Sequence, residues 1–161
     1  MSIHPETRIG HVHLTVSNLE KSLTFYRDIL GFEVVTYYGD SAVFLSAGGY
    51  HHHIGLNTWS GPGIGPANSQ QAGLYHFAIL LPSRLELAKV VQNIQQANYP
   101  LEGASDHGVS EAIYLKDPDN IGVELYIDRP NNQWPKNAQG KIEMISQPLD
   151  LNNLLAELTN S

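Results

Sequence analysis

Cysteine is absent from the 161 residues, so neither a disulfide framework nor a thiolate metal site can form. Any metal ion held by this chain must take imidazole and carboxylate ligands, which selects iron, manganese, nickel or zinc over a sulfur-ligated centre. Charge is scarce as well. Only 16% of residues are Asp, Glu, Lys or Arg, and the acids outnumber the bases to give a formal charge of -7. No lysine or arginine cluster offsets that balance, which argues against nucleic acid as a partner. No stretch approaches the roughly 20 apolar residues of a membrane span. Met1 to Gly10 lacks the charged-then-apolar design of a secretory leader. The expectation is a cytoplasmic protein with no membrane partner.

What is abundant is histidine, eight in all, three of them consecutive at His51-His52-His53. That triplet is internal and enters an apolar alternation, so a cloning tag does not explain it. Length and a hydrophobic content of 42% suit one soluble domain, residues 1–161, with a buried core.

The order of elements repeats. His11 to Val16 alternates and is β-branched, so it reads as a strand. Asn18 to Leu30 follows at helical spacing, with Ser17 or Asn18 to cap it and Gly31 to end it. After 65 residues the order returns: His76 to Leu81 is an apolar strand, expected to be buried on both faces, and Ser83 to Ala97 is a helix. Ser83 and Glu86 stand in the positions of a capping box there. Three more strands follow each helix: 32–38, 41–46 and 52–58 in the first half, 101–104, 112–115 and 121–127 in the second. Gly48-Gly49 and Asp117-Pro118-Asp119-Asn120 supply turns. The fold class is therefore α+β, two tandem βαβββ modules at about 8–60 and about 73–128. A linker at about 61–72 joins them, and an extension of about 129–161 holds a polar loop and a short helix at 149–158.

Residues two apart on a strand share a face. His11 and His13 share one, as do His51, His53, Gly55 and Asn57. Glu124 is a lone acid within Ile121-Gly122-Val123-Glu124-Leu125-Tyr126-Ile127. A carboxylate buried without a partner costs several kcal/mol, so a metal ion, a lysine or an arginine is expected beside it. His11 and His76 open equivalent strands, and matching Ile54-Gly55-Leu56-Asn57 to Ile121-Gly122-Val123-Glu124 makes Asn57 the counterpart of Glu124. Asn57 is a poor ligand, which leaves two histidines and one acid: His11, His76 and Glu124. That donor set, with open positions, is the arrangement of non-haem iron(II) sites that activate oxygen. His4 and His52 read as structural, and His13 as a supporting or core residue.

Gly10-His11-Val12-His13-Leu14, Leu19 to Tyr26 and Leu30-Gly31-Phe32 resemble the opening of a module of the vicinal oxygen chelate superfamily, which includes glyoxalases, bleomycin-binding proteins and extradiol dioxygenases. The resemblance covers about residues 8–128. Gly48 to Asn57, Gly73 to Pro82, Asp106-His107, Val109 to Ala112, Tyr114, Asp117-Pro118 and Glu124-Leu125-Tyr126 are similar to catechol 2,3-dioxygenases in particular. That likeness implies a cupped mixed sheet around a metal site, with iron(II), or alternatively manganese(II), on His11, His76 and Glu124. It implies His53 as an acid/base beside the metal, His107 and Tyr114 as groups that hydrogen-bond substrate, a small aromatic diol and O2 as reactants, and a homodimer as one assembly. A glyoxalase would want a second carboxylate on the fourth strand, and residues 51–59 contain none. A metal-dependent isomerase or transferase and a metal-free binding module are the alternatives. Typical catechol 2,3-dioxygenases carry four modules, and this chain supplies two.

Overall fold

Both halves of the repeat fold as the alternation dictates. In the computed structural model, which describes residues 2–68 and 70–159, the chain forms two units, Met1–Pro66 and Ala67–Ser161. Ser69, in the linker, lies outside the described residues.

The first unit is a four-stranded mixed sheet of β1 (Val12–Thr15), β2 (Glu33–Tyr38), β3 (Ala42–Ser46) and β4 (Ile54–Asn57), in the order β1-β4-β3-β2. β1 runs parallel to β4, as the intervening helix and hairpin require, and the other pairs are antiparallel. The helix between β1 and β2 begins as α1 (Leu19–Leu23), with the Asn18 side chain accepting from the Lys21 N–H at 2.9 Å. It widens to a π-helical turn over Thr24–Ile29, and the Leu30 N–H reaches back to the Phe25 carbonyl. A regular α-helix was the expectation. Phe25, Tyr26, Ile29 and Leu30 are all buried along this stretch. Gly31, at φ +88°, then ends the helix in a conformation that favours glycine.

The second unit is a five-stranded mixed sheet, β5-β8-β7-β6-β9. Its strands are β5 (His76–Leu80), β6 (Gly103–Asp106), β7 (Ser110–Lys116), β8 (Gly122–Asp128) and the two-residue β9 (Gln147–Pro148). α2 (Arg84–Gln96) buries Leu87, Val91 and Ile94, each contributing about 1.5–3 kcal/mol by leaving water. Ser83 caps it by accepting from the Glu86 N–H, while Glu86 turns to Lys89 at 2.7 Å. α3 (Leu151–Leu155) sits beside α2, tied by Arg84 to Asn153 and Glu157. No helix among the described residues is long and apolar enough to cross a membrane.

Two expectations need correction. β5 is not buried on both faces: Phe77 is buried, but Ala78 is exposed and Leu80 is 53% exposed. β5 is an edge strand within its unit, so an apolar run did not imply two covered faces. The second concerns β4, which starts at Ile54, so His51, His52 and His53 precede the strand rather than lie on it. His53 stays in the ladder through its backbone, its N–H donating to the Leu45 carbonyl and its carbonyl accepting from Val12.

Candidate functional site

Strand register in the second unit lines up the chemistry. His76 lies across from Gly122, and Glu124 lies between Ala78 on β5 and Tyr114 on β7. His76 and Glu124 therefore sit two residues apart along neighbouring strands, on one face. Their side chains meet: His76 Nε2 is 3.0 Å from Glu124 Oε2. The other carboxylate oxygen accepts from the Tyr114 hydroxyl at 2.9 Å, and that hydroxyl is 2.8 Å from His107 Nε2. His107 Nδ1 is in turn 2.9 Å from the Ile145 carbonyl oxygen. Four side chains and one backbone carbonyl thus form a continuous line of polar contacts no longer than 3.0 Å. His76, His107 and Tyr114 border an open cavity of about 490 Å³, together with Tyr75, Ser105 and Lys116.

The His76–Glu124 spacing fits a metal. His76 Nε2 and Glu124 Oε2 are neighbouring donors of the kind a divalent ion takes, and the Tyr114 bond engages Oε1, so Oε2 is the oxygen that faces the imidazole. Imidazole nitrogen with carboxylate oxygen suits a divalent first-row ion. Among the described residues no three histidine or acidic side chains stand close enough together to hold an ion. His76 and Glu124 lie in the second unit and His11 lies in the first.

In the first unit His11 stacks on His52, with ring centroids 4.4 Å apart. His51 Nδ1 is 2.7 Å from His52 Nδ1, and burial, then the charges of neighbouring histidines, lowers the His52 pKa. His53 packs on Tyr50, and its Nδ1 accepts from the Ala47 N–H at 3.3 Å. The Nδ1 lone pair is therefore engaged, and the exchangeable position on His53 is Nε2.

Register also revises the matching of the repeats. The Val16 N–H donates to the Asn57 carbonyl, and the Leu81 N–H donates to the Tyr126 carbonyl, both at 2.8 Å. Equating these bonds keeps His11 level with His76, but makes Tyr126 the counterpart of Asn57 and Gly55 the counterpart of Glu124. Asn57 is not the mate of Glu124. It serves the backbone instead, donating to the Leu14 carbonyl and accepting from the Trp59 N–H. A two-residue slip preserves the face of every side chain, so alternation alone could not detect it. Over Gly55 lies the His13 ring, 3.0 Å from where a Cβ would stand.

Burial, then Asp128 and Glu124, raises the Tyr126 pKa, and two further tyrosines carry a pH consequence. Burial, followed by the hydrogen bond and charge of Glu124, holds the Tyr114 phenol well above its ordinary range. Tyr99, whose hydroxyl donates to the Lys116 carbonyl, is pushed up to about 12, by burial first and Asp117 second. Both groups hold their protons longer folded than unfolded. Their stabilisation is complete below about pH 10, where a free tyrosine ionises, and is lost as pH rises toward the folded values. In an absorbance titration these two of the eight tyrosines are expected to ionise only together with unfolding. Ionisation of all eight near pH 10 in the folded chain would contradict this.

Glu124 and His76 were singled out from the sequence, whereas Gly122 and Ile145 were not. The signal for Gly122 was present, since an isolated glycine in a strand marks a close backbone approach. A Cβ there would collide with the Tyr75 carbonyl oxygen and stand 2.8 Å from His76 Cβ. Ile145 acts through its backbone, which no side-chain pattern reveals.

Residues 8–125 match the Glyoxalase/Bleomycin resistance protein/Dioxygenase superfamily. The chain is 40% identical over 156 residues to a catechol-2,3-dioxygenase of Bacillus subtilis, an alignment that takes in 97% of this chain and 54% of that protein. It is 30% identical over 128 residues to biphenyl-2,3-diol 1,2-dioxygenase 3 of Rhodococcus globerulus, covering 80% of this chain and 66% of that protein. The chain thus spans about half to two thirds of the length of these relatives. A solved glyoxalase/dioxygenase structure from Nostoc punctiforme has the same fold, with a TM-score of 0.64 at 17% identity over 81% of this chain and 98% of the other. Family match and fold agree: this chain belongs to the glyoxalase/bleomycin resistance/dioxygenase superfamily.

Proposed function

We propose that the chain is an extradiol ring-cleaving dioxygenase for a catechol-like vicinal diol, with His11, His76 and Glu124 as ligands to a divalent metal, iron(II) first and manganese(II) second. The observation that carries this reading is the line His76–Glu124–Tyr114–His107: an imidazole and a carboxylate at ligand spacing, backed by a phenol and a second imidazole. The names of the relatives, a catechol-2,3-dioxygenase and a biphenyl-2,3-diol dioxygenase, support the same class.

A divalent ion bound there supplies positive charge that lowers the pKa of a diol hydroxyl and gathers the reactants at one centre. The protein's own groups do the rest. Tyr114, with its raised pKa, remains a neutral donor whose one proton steadies Glu124 until an oxygen of the bound diol takes its place. His107 takes or returns a proton on the far side of Tyr114. His53, with Nε2 as its exchangeable position, is the acid/base. The isomerase alternative loses ground because Gly55, under the His13 ring, stands where the first module would place the counterpart of Glu124.

The test is oxygen uptake by protein reconstituted anaerobically with iron(II), followed with the yellow ring-opened product, using catechol and 3- or 4-substituted catechols. Uptake matched to product supports the reading, and stoichiometric metal with no uptake on any catechol sinks it. Tyr114→Phe is expected to keep its metal and lose about a hundredfold in kcat, the effect of removing one donor aimed at developing charge. Metal loss in Tyr114→Phe would instead make Tyr114 a support for Glu124 alone.

A further inference from the structure

Residues 134–149 lie along the turn that carries His107. Gly108 has φ +73°, and a Cβ there would stand 2.6 Å from Pro135 Cγ and 3.2 Å from Ile145 Cγ1. The same segment is laced to the turn by its backbone. The Ile145 N–H donates to the His107 carbonyl at 3.2 Å, β9 pairs with β6 opposite Asp106, and the Leu149 N–H donates to the Ala104 carbonyl at 3.3 Å. Asp106 anchors the turn from below, accepting from the Gly108 N–H and from Arg129.

Against this frame the 2.9 Å contact between His107 Nδ1 and the Ile145 carbonyl has one meaning. A carbonyl only accepts, so Nδ1 carries a proton. A neutral imidazole has one proton, so Nε2 is then a lone pair facing the Tyr114 hydroxyl at 2.8 Å. Tyr114 has a single proton and two acceptors within reach, Nε2 and Glu124 Oε1. One added proton completes the line: on Nε2 it lets His107 donate to Tyr114 while Tyr114 donates to Glu124. An unrestrained imidazole in water prefers the opposite tautomer, with the proton on Nε2, and that ring can donate to Tyr114 but cannot receive from it.

We propose that segment 134–149 is a positioning element for this site, in which the Ile145 carbonyl holds His107 as the Nδ1–H tautomer and reserves Nε2 as the atom that takes and returns a proton beside Tyr114. The catalytic consequence rests on the dioxygenase reading, whereas the tautomer does not. The orienting carbonyl does for His107 what outer hydrogen bonds do for metal-bound histidines, fixing both ring angle and proton position.

The experiment is 15N NMR of the full-length, metal-free protein labelled at histidine, with the His107 signals assigned by their loss in His107→Asn. Where the ring is neutral, Nδ1 is expected to show a proton-bearing shift and Nε2 a lone-pair shift. An Nε2–H ring, or the mixed average of a free histidine, overturns the proposal. Gly108→Ala, which presses on Pro135 and Ile145, is expected to move the signals toward that average. In turnover, kcat is expected to fall about tenfold while KM and bound metal stay within about twofold. Ile145→Pro, which removes the N–H that grips the His107 carbonyl, is the second variant if the first does not fold. An unchanged tautomer in a folded variant of either kind also overturns the proposal. If no catechol is consumed at all, the dioxygenase reading fails, and the wild-type spectrum still decides the tautomer.

Discussion

On the dioxygenase reading proposed above, Glu124→Gln is expected to abolish metal binding and to lower ring-cleaving turnover more than about a thousandfold, because several kcal/mol of transition-state stabilisation would depend on the bound ion. The substitution is nearly isosteric. A glutamine oxygen can still accept from Tyr114, so the cavity and the Tyr114–His107 contact survive, and what disappears is the anionic oxygen that faces His76 Nε2 at 3.0 Å. With a side chain only 14% exposed, that oxygen is shielded enough for its charge to count. Two readouts separate the metal from the chemistry. Manganese(II), which resists oxidation in air, should raise the melting temperature of the wild type, since a ligand that binds only the folded state stabilises it, and should leave Glu124→Gln unmoved. Metal content after dialysis should follow. His76→Ala should behave alike, and the double variant should be little worse than either, because ligands to one ion act as a unit. Full metal content with full activity in Glu124→Gln would remove Glu124 from the ligand set.

A lone acid in an apolar run needs a partner, and Glu111, in Ser110-Glu111-Ala112-Ile113, satisfies the same description. Its carboxylate, 7% exposed, lies between Arg84 at 2.8 Å and Arg129 at 2.9 Å. One acid on this sheet is thus buried and neutralised by guanidinium groups, and the other, half-buried, faces an imidazole and a phenol. Those partners lie 27 and 18 residues away from Glu111, so only the fold decides between them. The order of elements along the chain, the helix caps and the level of His11 with His76 were legible because each follows from local alternation and turn chemistry. The counterpart of Glu124 was not, because a two-residue slip leaves every face unchanged. Nor was β9, whose two residues pair with β6 across some forty positions of chain and carry no alternation to read. The π-helical turn escaped for a related reason, since its apolar residues fit an ordinary helix nearly as well.

Gly122→Ala is expected to cost about 3 kcal/mol of stability and to dismantle the site without touching a ligand. The position lies directly across from His76 in the parallel β5–β8 pair. A methyl group there would collide with the Tyr75 carbonyl oxygen, a backbone atom that cannot rotate away as a flexible side chain could. The start of β5 must therefore lift, and His76, its first residue, lifts with it. Glu124, two residues further along β8, keeps its bond to Tyr114, so half of the donor pair remains in place while its partner withdraws. The expected signature is a lowered denaturation midpoint with an unchanged m-value, a loss of manganese-induced stabilisation, and retention of the Glu124–Tyr114–His107 contacts. Gly55→Ala is the matched comparison, because the atoms nearest its added methyl are those of the His13 ring, 3.0 Å away, a side chain free to turn. That variant should lose less stability and keep its metal. Equal loss of metal in both variants would mean that general loosening of the sheets, rather than withdrawal of His76, empties the site.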